Sequence, residues 1–365
     1  MYIVSAVYRL LGMRLWISIA AGIPLAATVI HHFRSLPWFD YLVNSYPDFK
    51  YSIDTGVRVI DQPLSVVTNV FGHAMNNSLG YNLSWLMLGI FGVVLSIMAV
   101  EGSRQNASRL LACFPLWGMA CNCLGMAAVQ PLFWLPVFYA SFDKVASNNV
   151  EAHFIRNARS NAILVVMIAV YVIPTAFMLL ATEPETVMQR TIIVVWQFLP
   201  LLMGPLLSLA TSSLKCLDEP EDLRMNEIAR EKIRVADSRN AVERLYMIMG
   251  ILNTLIYYAI YIRLKMDNML SWETIVDLVT LYSGKLTALS MEQMGHIITN
   301  HAFFIDIIVA YITCLFWALM ESGVKGVLIM FIASIIIGPG AGICLYAVYR
   351  EGHVQDIEKV VKKNQ

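Results

Sequence analysis

Charged side chains are scarce in this sequence, and their scarcity argues against an ordinary soluble domain. Only 14% of the 365 residues are Asp, Glu, Lys or Arg, whereas soluble globular proteins have roughly 25%. The 26 basic and 26 acidic residues cancel, so no global field favours nucleic acid as a partner. Hydrophobic residues make up 58% of the chain, and we expect much of its surface to face lipid.

Metal and cofactor motifs are also missing from the sequence. The six cysteines have no zinc-like spacing, and the adjacent His31 and His32 would diverge around a helix rather than share a metal. The acidic segment 218–222 is interrupted by Pro220, unlike the aspartate-rich motifs that bind magnesium diphosphates. No phosphate-binding loop, HExxH or GxSxG motif occurs. The sequence therefore predicts no metal and no cofactor.

Long charge-free runs dominate the chain instead. A bilayer core about 30 Å thick needs about 20 apolar residues in a helix. We therefore predict an all-α fold, a single polytopic membrane bundle of about eight transmembrane helices, with a charged linker at 215–244 and a cytosolic-type tail at 350–365. The predicted spans lie near 13–31, 80–100, 110–139, 162–181, 191–213, 243–262, 302–320 and 326–349.

Two stretches complicate this count of spans. Residues 110–142 contain no charge and would form about 50 Å of helix, too long for one straight span. Pro115, Pro131 and Pro136 fall in this run, which predicts either a kinked helix or a helix followed by a re-entrant piece. Residues 31–79 mix polar and apolar positions and could hold an interfacial helix near 64–75. A second amphipathic helix is expected near 272–281.

Asp306 is the clearest candidate for chemistry, because an ionisable group within a span is expensive to bury. It lies about 6 Å inside the predicted seventh span. Loss of hydration at that depth favours the protonated carboxyl, which could then act as a general acid. The alternative is a structural hydrogen bond to a neighbouring helix.

Four further charged residues stand at predicted span ends: Glu101 and Arg104 after the second, Arg350 and Glu351 after the eighth. With eight spans, these four residues and Asp306 fall on one side of the membrane. Such convergence predicts a shared site that contains both carboxylates. The alternative is a set of ordinary interfacial charges that fix the ends of the spans.

Several short motifs recur in a known family in this order. They include Glu101-Gly-Ser-Arg104-Gln-Asn106, Gln130-Pro131-Leu132-Phe133, Trp196-Gln197-Phe198-Leu199-Pro200, Phe304-Ile305-Asp306, and Gly338-Pro339-Gly340 before Tyr349-Arg350-Glu351. Over roughly residues 55–352 the chain resembles fungal polytopic membrane terpene cyclases of the ascofuranone-cyclase type. It is also similar to the membrane protein of paxilline-type indole-diterpene clusters.

This resemblance implies a metal-independent cyclase of a terpenoid, meroterpenoid or indole-diterpene pathway. An acid would protonate an epoxide or alkene of a hydrophobic prenylated substrate, and ring closure would follow through a carbocation. Asp306 and Glu101 are the predicted catalytic residues. The predicted substrate-binding residues are Arg104, Trp196, Gln197, Trp134, Phe304 and Asp61.

Two other functions remain open at the level of sequence. A transporter is favoured by spans that Pro and Gly interrupt, and a non-catalytic partner that gathers other pathway enzymes is suggested by the charged segment 215–244. Under all three hypotheses the chain is an integral membrane protein, expected in the endoplasmic reticulum membrane with lipid around it. Neither orientation nor substrate identity follows from the sequence.

Overall fold

The computed structural model describes residues 2–36, 56–142, 151–180, 186–218, 226–280 and 289–356, with backbone alone for 2–12. Every regular element in these ranges is helical, so the predicted all-α class is confirmed. The helices are α1 Tyr2–Arg34, α2 Arg58–Met75, α3 Ser78–Gly102, α4 Phe114–Leu124, α5 Met126–Phe142, α6 Asn157–Leu180, α7 Val187–Ser213, α8 Glu227–Met266, α9 Trp272–Val279, α10 Met291–Ile337 and α11 Pro339–Val354. Single turns occupy Arg109–Ala112, Glu151–His153 and Lys215–Asp218.

Six of these helices are long and apolar enough to cross a membrane. The six segments are Met13–Arg34, Ser78–Gly102, Asn157–Leu180, Val187–Ser213, Glu227–Met266 and Met291–Ile337. The count of about eight is therefore not confirmed. Helix α3 is the central one, with 89% of its most apolar window buried, whereas the corresponding figure for α1 is 17%. We infer that α1 lies at the edge of the bundle and α3 in its core.

Contacts between helix ends define two ends of the bundle. At one, which we name the Asn300 end, the Asn77 amide donates to Asn300 over 3.3 Å, and Ser78 donates to Asp267 over 2.7 Å. At the other, the Glu101 end, Arg350 contacts Glu101 over 2.9 Å. Helices α3 and the first part of α10 therefore run in the same direction, from the Asn300 end to the Glu101 end.

The overlong third run folds as a re-entrant hairpin and not as a crossing. Helix α4 ends at Leu124, Gly125 turns the backbone with φ +84°, and α5 returns toward the Glu101 end. The arms meet at their outer ends, where the Ser108 and Ser141 hydroxyls lie 2.5 Å apart. Eleven residues of α4 extend about 16 Å, roughly half a bilayer core. Of the two forms expected for this run, the structure has a helical hairpin whose tip lies inside the bundle, in place of one continuous helix over 110–139.

The residues of the last predicted span, 326–349, do not form one straight helix. Helix α10 folds back at Gly323 (φ +63°), and a Cβ at Gly326 would lie 3.0 Å from the Ala318 carbonyl oxygen. A straight helix would separate those residues by about 12 Å. A second reversal at Gly338 (φ +92°) starts α11. Two antiparallel arms, 324–337 and 339–354, therefore replace the expected span.

The charged linker and the two amphipathic segments take defined forms. Residues 227–244 continue without a break into the apolar part of α8, whose first turn is capped by the Asn226 side chain. Helix α9 is short, and Trp272 at its start is exposed. Helix α2 buries Phe71 and His73 against the bundle, so it is packed on one face instead of lying only at an interface.

Candidate functional site

A cavity of about 400 Å³ lies inside the described bundle, toward its Asn300 end. Its size falls within the range of roughly 300–1,000 Å³ that is usual for small-molecule sites. The walls come from α1, α2, α3, α7 and α10, together with the tip of the α4–α5 hairpin. Most of the lining is aliphatic or aromatic. The polar lining side chains are Arg34, Asn122, Gln197 and Asp306, with the thiols of Cys121 and Cys123.

Asp306 projects from α10 into this cavity and meets the tip of the hairpin. Its Oδ1 accepts a hydrogen bond from the Ala127 amide over 2.5 Å, and the Met126 amide also bonds to the carboxyl. The first amides of any helix have no partner within the helix. The turn at Gly125 creates such a terminus inside the bundle, and Asp306 caps it. The hairpin therefore fixes the position of the carboxyl.

Aromatic rings form one wall of the cavity. Trp196 of α7 lies with its ring centroid 6.0 Å from Phe71 and 6.4 Å from Phe91, and Phe71 lies 5.3 Å from Phe303. The Trp196 indole donates to the Thr175 hydroxyl over 2.9 Å, which fixes the ring. Ring faces carry negative potential and attract positive charge. This wall suits a ligand with a transient positive charge.

Two amides lie on the same side of the cavity. The Asn122 side chain donates to the Gln197 backbone carbonyl over 3.0 Å, which links the hairpin to α7. The Gln197 side chain is only 2% exposed to outside solvent. Among the residues that the structure describes, neither its Oε1 nor its Nε2 has a hydrogen-bond partner. Arg34 is exposed, at the end of α1, where the cavity approaches the Asn300 end.

A second group of charged side chains lies at the Glu101 end, and we call it the ion network. It consists of Glu101, Arg104, Glu321, Arg350 and Glu351. Arg104 pairs through two bonds with Glu101 (2.8 and 2.7 Å) and through two with Glu351 (2.7 and 3.2 Å). Arg350 bonds to Glu101 and to Glu321, each over 2.9 Å. The ion network thereby joins α3, α10 and α11.

The electrostatics of the ion network favour ionised groups. Burial alone lowers the pKa of the Arg104 guanidinium, but the Glu101 and Glu351 carboxylates outweigh burial and raise that pKa well above its ordinary value. Both Glu101 oxygens accept bonds from arginines. This carboxylate is also fully buried and does not line the cavity. The geometry therefore indicates that Glu101 and Arg104 stabilise the fold and do not contact a substrate.

The two predicted catalytic carboxylates do not share a site. Asp306 lines the cavity, together with Phe91 of α3, whereas Glu101 lies about 15 Å further along the α3 axis. The expectation that they share one side failed because the re-entrant hairpin removes one crossing, which reverses every later span. The double reversal at Gly323 and Gly338 then returns Arg350 and Glu351 to the Glu101 end, where they were expected.

The other predicted substrate-binding residues divide between the cavity and its surroundings. Trp196 and Gln197 line the cavity. Trp134 is buried away from it, stacked on Phe138 at 5.6 Å between centroids, and the neighbour Phe303 takes the place expected for Phe304. Asp61 is buried in the first turn of α2 and is not among the described residues that line the cavity.

Several residues of the cavity were not predicted as site residues. Phe71 fell in the mixed stretch 31–79, and Phe91 lay within an apolar span without any distinguishing neighbour. Asn122 links the hairpin to α7 and also lines the cavity. The best signal in the sequence was the overlong run itself, because a re-entrant tip must end inside the bundle.

Comparison with known proteins gives one finding. The sequence model of one family, described as the CtvD domain, matches residues 48–354, well over half of the chain. No curated protein and no solved structure matches the chain. The matched region includes α2 to α11, and so every side chain of the cavity except those from α1 and Leu36.

Proposed function

The chain belongs to the CtvD domain family, a family of fungal biosynthetic clusters, and from this premise we propose that it is a membrane-bound terpene cyclase. Its substrate would be a hydrophobic prenylated compound that carries an epoxide or an alkene. Such a substrate dissolves in the bilayer, and we place the enzyme in the endoplasmic reticulum membrane. The reaction would need only an acid, a base and a shaped apolar cavity.

One observation carries the proposal. Asp306 is the one acidic side chain among the described residues that line the cavity, and the remaining wall is mainly aliphatic and aromatic. An acid in such a setting can transfer a proton to an oxygen or a double bond of a bound ligand. Hydrogen bonds from the backbone amides of Ala127 and Met126 hold the carboxyl in place before and after the proton transfer.

The proposed reaction is an isomerisation in which Asp306 donates one proton and regains one. The Asp306 carboxyl gives its proton to the epoxide oxygen, one carbon–oxygen bond breaks, and the carbon becomes cationic. The π electrons of a nearby alkene form a new carbon–carbon bond to that carbon and move the positive charge along the chain. An internal hydroxyl attacks the last cation, or a neighbouring carbon loses a proton, and the Asp306 carboxylate recovers one proton. The product is an isomer of the substrate.

The aromatic wall supports the cationic stage of this reaction. Trp196, Phe71, Phe91 and Phe303 offer ring faces to a charge that moves along the ligand. Water would capture the cation before the ring closed, so its exclusion is part of the chemistry. The mainly aliphatic and aromatic lining favours this exclusion once a hydrophobic substrate fills the cavity.

The test is conversion by membranes that contain the full chain. The gene product is expressed in a fungal host without the pathway, and microsomes are incubated with an epoxidised farnesyl phenol. We expect a new compound of equal mass that is absent from control microsomes. A product that is 18 Da heavier would identify a hydrolase, and recovery of unchanged substrate would contradict the proposal.

Transport is a second candidate, because one observation favours it. Transporters often bind ligands at broken helices inside the membrane, and the α4–α5 hairpin breaks beside this cavity. In α5, however, the helix start is already capped by Asp306. Sealed vesicles loaded with labelled substrate separate the two functions, since a transporter moves the label across the bilayer without changing the compound.

A further inference from the structure

The Gln197 amide is the exception among the polar groups around the cavity. Trp196 bonds to Thr175, Asn122 bonds to the Gln197 backbone, and Asp306 bonds to the hairpin amides. In the described part of the chain neither polar atom of the Gln197 side chain finds a partner, although the residue is 98% buried, that is, 2% exposed. Buried polar groups in native proteins are almost always paired.

A ligand in the cavity can supply the missing partner of this amide. Gln197 lines the cavity, but water hardly touches its two polar atoms, so a bound ligand reaches them when the side-chain amide turns into the cavity. A ligand that filled the cavity without bonding to this amide would leave its donor and its acceptor unpaired. Leaving a buried donor or acceptor unpaired weakens binding by about tenfold. A pure hydrocarbon is therefore a poor ligand for this cavity.

We propose that Gln197 hydrogen-bonds a neutral oxygen group, a hydroxyl or a carbonyl, on an otherwise apolar terpenoid ligand. An uncharged amide suits a neutral partner, because a buried charge needs an opposite charge. The single cation that lines the cavity in the described chain, Arg34, is exposed at the end of α1. An anion bound further inside would find no opposite charge among the lining residues that the structure describes.

This oxygen group sets the position of the ligand along the cavity. Apolar contacts are not directional, so a chain of repeated isoprene units could slide past Asp306. A hydrogen bond at Gln197 fixes the chain in one position relative to the carboxyl. The inference rests on the proposed function in one respect, since it takes this cavity as the ligand site. Gln197 is then a positioning residue. The ligand oxygen that it binds is distinct from the epoxide or alkene that Asp306 would protonate.

Binding of two probes to the purified full chain in lipid nanodiscs tests the inference. Farnesol and β-farnesene have the same carbon skeleton, and only farnesol has a hydroxyl. Quenching of tryptophan fluorescence reports binding, since Trp196 lines the cavity. We expect Gln197→Leu to weaken farnesol binding about tenfold or more and to leave β-farnesene binding unchanged or stronger. Partition of each probe into lipid cancels between variant and wild type.

Two further variants complete the comparison. Gln197→Met removes both polar atoms while keeping the length of the side chain, and we expect the same result. Phe198→Leu changes a neighbouring residue that is 39% exposed and outside the cavity lining, and it should bind both probes as the wild type does. An equal change for both probes in Gln197→Leu, or no binding of either probe to the wild type, would overturn the inference.

The outcomes also separate this inference from the proposed function, because binding needs no turnover. If farnesol binding depends on Gln197 but no isomer forms in microsomes, the cyclase proposal fails alone. If the isomer forms and Gln197→Leu binds farnesol normally, this inference fails alone. A positioning role further predicts that Gln197→Leu produces a changed ratio of ring products, which loss of stability alone would not cause.

Discussion

Asp306 caps the start of α5 in the structure and is the acid of the proposed reaction, and substitution can separate these two roles. Asn caps a helix about as well as Asp, so Asp306→Asn should keep the bond from the Ala127 amide while it removes the transferable proton. We expect conversion to fall by about 100-fold or more with an unchanged thermal midpoint. Asp306→Ala should lose both roles and also reduce stability by about 1 kcal/mol.

Isomer formation in microsomes and thermal unfolding of the purified protein measure these two effects. The variants should be compared at equal amounts of folded protein. If Asp306→Asn converts substrate as fast as the wild type does, Asp306 is not the acid, and capping the start of α5 is its whole function.

Glu101 should behave in the opposite way from Asp306. Glu101→Gln leaves Arg104 and Arg350 buried with one carboxylate fewer, and breaking a buried ion pair costs about 3–5 kcal/mol. We expect loss of folded protein instead of a specific loss of conversion. Adding Arg350→Gln to Glu101→Gln removes one charge of each sign, so the double variant should be less destabilised than the two single effects predict in sum.

Size-exclusion profiles of the solubilised variants give the folded yield. A Glu101→Gln protein that folds like the wild type but does not convert substrate would restore the catalytic role predicted from the sequence.

At the residue scale, the sequence identified individual residues of the cavity better than it predicted which residues lie close together. The cost of burying a carboxyl singled out Asp306 without any structure, and Trp196 and Gln197 were named through the resemblance; all three line one cavity. The pairing of Asp306 with Glu101 depended on an exact count of crossings. One helix that turns back reverses all later spans, so this inference had no tolerance for a single error.

At the scale of elements, glycine decides where the helices break, and proline does not. Pro131 lies in a π-helical turn, Gln130–Trp134, that continues α5, and Pro115 lies at the start of α4, where a missing amide is harmless. The breaks occur at Gly125, Gly323 and Gly338, each with positive φ. The prolines in the overlong run therefore indicated an interruption but not its position, which depends on packing around Gly125.

The two reversals near the C-terminus allow a matched test of this rule. Gly323 (φ +63°, ψ −159°) and Gly338 (φ +92°, ψ +156°) both lie in a region that almost only glycine adopts, which costs an alanine about 1–3 kcal/mol. A Cβ at Gly323 meets nothing within 4 Å in the described chain, whereas one at Gly338 would lie 2.6 Å from the Tyr257 ring. We expect Gly323→Ala to show the backbone cost alone and Gly338→Ala to lose considerably more stability.

Thermal unfolding of both variants measures the difference. Tyr257→Ala combined with Gly338→Ala should recover part of the loss, because it removes the ring that the new methyl group meets. Equal stability of the two single variants would show that the Gly338 turn is not packed against α8 as described.

At the scale of the whole molecule, the re-entrant hairpin determines which loops share a side of the membrane. If residues 110–139 crossed the bilayer, the loop after α3 and the turn Lys215–Asp218 would lie on opposite sides. In the structure both lie at the Glu101 end, because Arg159 bonds to Ser103 and to Thr211, and Ala158 bonds to Asp218. The end of α8 lies at the other end, where Asp267 bonds to Ser78.

Cysteine labelling in sealed microsomes tests this arrangement directly. Asn106→Cys, the native Cys216 and Lys265→Cys provide three exposed thiols, each in a chain whose other cysteines are replaced by serine or alanine. A membrane-impermeant maleimide should label positions 106 and 216 from the same side and position 265 only from the opposite side. Labelling of positions 106 and 216 from opposite sides would show that the third run crosses the membrane. Asp306 and Glu101 would then lie on the same side of the membrane, as the two-carboxylate site predicted from the sequence requires.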